Sequence, residues 1–175
     1  MTDFSAKSID KMFEYNLWAN TTIIKLCQQL DDEQLAFEID GAHGGIRQFL
    51  AHMIFAESYY IWTLTGTSFW EDNFNLAKVP REWVELPLET LLDRAQLTGN
   101  KLIEVASKTN PDVRHDATPD DATPFPYDFT FFNWSILAQA VSHGVEHRTH
   151  IKVLLSQLGI EHIDFSVWSY MHTLQ

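Results

Sequence analysis

Four long amphipathic segments constrain this chain more than any other feature. Between Ser5 and Leu30, the residues Ile9, Met12, Phe13, Asn16, Leu17, Asn20, Ile23, Ile24, Cys27 and Leu30 recur at helical spacing, with Asp10, Lys11, Glu14 and Lys25 largely off that stripe. A second segment runs from Ile46 to Leu64, after Gly41, Gly44 and Gly45, with Phe49, His52, Met53, Ala56 and Tyr60 facing inward. A third runs from Leu88 to Ser107 through Leu91, Leu92, Ala95, Leu102, Val105 and Ala106, and is ended by Asn110-Pro111. The fourth starts at Asn133, read as its N-cap, and passes through Ile136, Leu137, Ala140, His143, Gly144, His147, Ile151, Leu154, Leu155 and Leu158 to Gly159 at C′. Such stripes are buried by packing against one another. The expected fold class is all-α, a four-helix bundle forming one domain over residues 1–175.

The connections carry different signals. L-D-D-E-Q-L offers Asp31 or Asp32 as the N-cap of a short turn. From Thr65 to Pro87 the period is lost, and the aromatic residues Trp70, Phe74 and Trp83 are expected to cover a pocket or one end of the bundle. Pro111 to Phe129 contains four of the six prolines, which precludes a long helix and predicts extended or hairpin structure. A last short helix, Phe165 to Met171, is expected to pack Trp168 and Tyr170 on the bundle.

Charge and cysteine usage narrow the classes. With 24 acidic and 12 basic residues, the formal charge of -12 repels phosphate and anionic lipid, so no nucleic acid is expected as a partner. The single Cys27 excludes an intrachain disulfide framework and fits a small buried hydrophobe better than a nucleophile. The first ten residues lack the basic and apolar regions of a secretory signal, and Glu57, Gln139 and Gln157 interrupt the best apolar runs. A soluble, cytoplasmic protein with no membrane partner is the expectation.

Chemistry is concentrated in S-H-G-V-E-H-R-T-H, Ser142 to His150. On a helix, His147 lies about 40° from His143 and His150 about 20° to the other side, so the three imidazoles share a stripe. Two histidines four apart present one helical face to a divalent ion, and a third ligand must come from elsewhere. His52, in F-L-A-H-M-I-F-A, is the leading candidate. With eight histidines in 175 residues, an H-x-x-x-H pair arises by chance roughly 0.4 times, so spacing alone leaves hydrogen-bonded or surface histidines as an equal reading. A bundle that set the second and fourth helices side by side would unite the three.

Three segments together resemble the DinB/YfiT-like superfamily: Y-N-L-W-A-N (Tyr15 to Asn20), G-G-I-R-Q-F-L-A-H-M-I-F-A-E (Gly44 to Glu57) and S-H-G-V-E-H-R-T-H-I (Ser142 to Ile151). The resemblance implies an up-up-down-down bundle and a metal triad that falls on His52, His143 and His147. It also implies nickel, zinc or iron as the bound metal and a homodimer as the assembly. Arg148 fits the family pattern. Glu146 and His150 depart from it, standing where many members have His and Gln. Some relatives are S-transferases or isomerases using a low-molecular-weight thiol, and others are called metal-dependent hydrolases. The chain is therefore expected to be a metal-dependent enzyme of thiol-transferase or hydrolase type acting on a small molecule, with a non-catalytic metal-binding or stress-associated protein as the alternative.

Three imidazoles leave at least one coordination position open on zinc, nickel or iron, and a divalent ion there activates a water or a thiol. Glu146 is a candidate base or partner for a ligand N–H, against the reading of a solvated glutamate. His150 is a candidate fourth ligand or substrate contact, against that of a satisfied histidine at the bundle mouth. Tyr59 and Trp18 are read as core, and Glu57 as a structural residue paired with Arg47 or a backbone group. His43, His115, His162 and His172 carry no assigned role.

Overall fold

A computed structural model describes residues 4–41, 44–67, 70, 79–117, 128–161 and 164–175. Its four long helices are α1 (Phe4–Cys27), α3 (Ile46–Thr65), α5 (Leu88–Lys108) and α6 (Asn133–Gln157). Between them lie two single-turn helices, α2 (Asp32–Leu35) and α4 (Arg81–Val84), and strands β1 (Arg114–Ala117) and β2 (Phe129–Phe132), with α7 (Val167–Thr173) at the end. Each of α1 and α3 packs against both α5 and α6. The first two long helices therefore sit on one diagonal and the last two on the other, the neighbour pattern of an up-up-down-down bundle.

Local chemistry explains most boundaries. Asp31 caps α2 by accepting from Gln34 N, while the Gln34 side chain accepts from Asp31 N. Gly66, at φ 68°, ends α3 and returns its N–H to Trp62 O. Gly159, at φ 71°, follows the last turn of α6. The start of α6 differs from the expectation. Asn133 is its first helical residue and not the cap, and the free N–H groups of Asn133 and Trp134 donate to Val113 O and Pro111 O. The Asn133 side chain is buried, donating Nδ2 to Asn110 O and accepting from His115 Nε2 at 2.7 Å. The proline-rich connection contributes the antiparallel β1–β2 pair, in register Arg114 to Phe132, while residues 118–127 lie outside the described set.

The core forms two clusters along the bundle. Ile23, Ile24, Leu50, Ile54, Phe55, Leu91 and Ile151 centre one, and Phe13, Ala56, Tyr60, Leu102 and Leu137 the other. Cys27 is fully buried in the first, where burial pushes its thiol up to about 12. Trp83, on α4, is also core: it is 1% exposed and meets Phe55 edge-on at 5.3 Å. Trp70 stands beside it, and the Arg94 guanidinium lies over both rings. Phe74 lies outside the described residues.

Two inward assignments fail. Met12 is 50% exposed and Trp168 79% exposed, while Tyr170 packs on Tyr15 and Trp18. Residues two apart on a helix point about 200° apart, so α7 seats either Trp168 or Tyr170 on α1, not both. No described helix is long and apolar enough to cross a membrane.

Candidate metal centre

α3 and α6 lie side by side, and the contact brings together residues 91 positions apart in the chain. His52 Nε2 is 3.0 Å from His143 Nε2, and His147 Nε2 is also 3.0 Å from His143 Nε2. The three nitrogens form one cluster in which every pair lies within 4.8 Å. Two nitrogens bound to one tetrahedral zinc at ~2.0–2.1 Å stand about 3.3 Å apart, close to the spacing of the two 3.0 Å pairs. All three rings are half-buried.

Burial sets their protonation. Burial first, and the neighbouring imidazoles second, hold His143 down to about 3 and His147 to about 4, and burial also lowers His52. The rings are neutral at physiological pH, and three lone pairs facing one point repel unless a proton or a cation lies among them. That donor set suits zinc, nickel or iron. His147 Nδ1 is buried without a hydrogen-bond partner, so this ring is held by its Nε2 contact with His143 and by packing against His143, His52 and Phe49.

His150 and Glu146 do not join the cluster. Both are exposed. His150 packs at a tilt on Phe49 at 5.1 Å, with its ring 5.6 Å from that of His147. The stripe argument captured its angle and not its height: seven residues past His143 is about 10.5 Å along the helix, beyond the reach of a shared ion. There it borders a shallow groove of about 230 Å³, walled by Ile39, Phe49, Val153 and Leu154, with Asp40 as a second polar group. Neither Trp70 nor Trp83 lines this groove. Tyr60 closes the other side of the centre, its ring 5.9 Å from that of His143.

A second polar cluster lies behind the histidines, against α1. Asn16 Nδ2 and Asn20 Nδ2 donate to Glu57 Oε1 at 2.6 and 2.8 Å, and Arg148 Nη1 donates to both Asn16 Oδ1 and Asn20 Oδ1. All four residues are at most 2% exposed. Glu57 is thus structural, but its partners are the asparagines and the Arg148 charge; Arg47 instead binds Leu86 O and Asp32. Burial pushes the Glu57 carboxyl up to about 7, against the opposing pull of Asn16, Arg148 and Asn20. Two asparagines four apart on an otherwise apolar stripe were the visible signal for this network, since buried amides need partners. Of the unassigned histidines, His115 holds Asn133, His172 is exposed near the C-terminus, and His43 and His162 lie outside the described residues.

No curated protein matches the sequence. The family model described as "DinB family" matches residues 1–174, essentially the whole chain. The bundle, the three-histidine cluster and this full-length match lead to one conclusion: the chain belongs to the DinB family.

Proposed function

We propose that the protein binds one divalent ion, zinc, nickel or iron, through Nε2 of His52, His143 and His147, and acts as a metal-dependent enzyme on a small thiol substrate. The observation that carries this reading is the convergence of three neutral, half-buried imidazole nitrogens from two helices. When bound, the ion would supply Lewis acidity at the position the histidines leave free, lowering the pKa of a thiol or water there. The chain's own residues do the rest. Phe49 packs against both the His147 and His150 rings, and a substrate in the groove meets apolar walls, the His150 imidazole and Asp40.

Thiol chemistry is favoured over hydrolysis by the acid–base inventory. Among the described residues the candidate metal cluster contains only imidazoles, and the nearby Glu146 is exposed to solvent. A thiol ionises near pH 8.5 and asks far less of a protein base than water does. Cobalt substitution tests the open position: adding a low-molecular-weight thiol or azide should shift the visible spectrum. A spectrum indifferent to both, with a fourth protein ligand on the ion, would instead mean a closed, non-catalytic centre.

A further inference from the structure

We propose that Asn16 and Asn20, with Glu57 and Arg148, form a positioning unit that fixes the rotation of α6 against α3 and thereby holds His143 and His147 at the level of His52. The proposal takes the three-histidine centre as its object. It assigns a role to α1, which provides none of the three histidines.

The chemistry of the two carboxamides makes the unit directional. Each asparagine donates its N–H to the Glu57 carboxylate and accepts from the Arg148 guanidinium. Reversing either amide would set oxygen against oxygen and N–H against N–H, so the charges on both sides dictate which way each points. Asn16 and Asn20 are one helical turn apart, and together they tie one carboxylate on α3 and one guanidinium on α6 to the same stretch of α1. An apolar patch of similar volume would pack as well or better, but it tolerates sliding and rotation. A shift of one turn, about 5.4 Å, would break every bond in this network.

The placement along α6 links the unit to the metal centre. Gly144 and Arg148 directly follow His143 and His147, so the face turned to α1 lies about 100° from the face turned to α3. Gly144 permits the close approach: a Cβ there would stand 2.7 Å from Asn16 Oδ1 and 2.8 Å from Arg148 Nη1. Holding the 144/148 face against the asparagines therefore aims the 143/147 face at His52. The lever is steep. Side chains reach ~5–6 Å from the helix axis, so a 20° rotation of α6 moves their tips by about 2 Å. Metal–ligand distances tolerate ~0.2 Å.

The test uses the full chain, wild type and Asn20→Ala, with Ile23→Val and Ile23→Ala as controls. Ile23 is fully buried on α1 near Asn20 and outside the network, so the controls bracket a loss of stability without touching it. Cobalt(II) affinity, the visible cobalt bands and the imidazole NMR signals of the metal-free protein are read at a temperature where circular dichroism shows every variant folded. Asn20→Ala should lose at least ~10-fold in cobalt affinity, the scale of outer-sphere substitutions, and should weaken the bands, while Ile23→Ala keeps both. Asn20→Ser replaces the alanine variant if that one does not fold. Wild-type cobalt binding in the Asn20 variant, or an equal loss in Ile23→Ala, would overturn the proposal and leave the metal reading standing. If the wild type itself binds no cobalt, the metal reading fails and the imidazole signals decide: displacement of His143 and His147 in Asn20→Ala alone supports the positioning unit, and unmoved signals refute it.

Discussion

Replacing Arg148 by methionine removes the only cation in the buried network and leaves three specific debts. Asn16 Oδ1 and Asn20 Oδ1 lose their Arg148 donor, and the Glu57 carboxyl, 2% exposed, loses its counter-charge. Each orphaned acceptor is worth ~1–3 kcal/mol, and breaking a buried charge pair by removing one partner ~3–5 kcal/mol; these overlap and do not add, so a total near 3–5 kcal/mol is expected. For a chain of this length that is a fall in Tm of about 6–20 °C. The loss has a pH signature. Glu57 already sits at about 7 in the native protein against 4.5 for an ordinary glutamate, and removing the guanidinium raises it further. A folded-state pKa above the unfolded one means that folding binds protons, so stability falls as pH rises toward that pKa. At pH 6 both proteins hold Glu57 mainly protonated, and the deficit reduces to the orphaned asparagine acceptors. Above pH 7 the variant alone continues to lose stability, by up to ~1.4 kcal/mol per pH unit until its own Glu57 ionises. Urea unfolding at pH 6 and pH 8.5 in chelator measures both effects. A variant within ~1 kcal/mol of wild type at pH 8.5, or a deficit equal at the two pH values, would refute the reasoning; Glu57→Gln/Arg148→Met should cost less than the sum of its single changes.

The remaining predictions concern the histidines. Their folded-state pKa values lie below the unfolded 6.5, so the unfolded chain binds more protons and the metal-free protein should lose stability as pH falls from 6.5 toward 4. Denaturant titrations should show a steeper loss for wild type than for His143→Gln/His147→Gln, and parallel curves would contradict the burial argument. Metal removal should leave the far-UV helical signal intact, because both core clusters stand without the centre. Re-adding metal at 100 times its dissociation constant should stabilise by about 3 kcal/mol. A collapse of helicity on chelation would make the site structural.

The four helices were legible because long apolar stripes at one period admit few other folds, and their ends because Gly66, Gly159 and Pro87 act locally. What escaped depends on contacts between distant segments. Capping is normally local, which makes Asn133 resemble a cap, yet its helix start is satisfied by carbonyls of the preceding loop. Trp83 looked like a loop aromatic, and only α4, one turn between Pro80 and Glu85, carries it into the core. In the candidate centre, spacing on one helix paired His143 with His147, and mid-stripe position pointed to His52. The same projection puts His150 on the stripe but ignores height, which sets it at the groove and outside the three-histidine cluster. Glu57 looks paired with Arg47 because nothing in a single sequence says that Asn16, Asn20 and Arg148 meet across three helices.

Elemental analysis of untagged purified protein tests the central claim most directly. The account predicts close to one divalent ion per wild-type chain, and near zero for His143→Ala/His147→Ala that stays helical by circular dichroism, since each change removes one of three protein ligands. Stoichiometric metal retained by the folded double variant would contradict it.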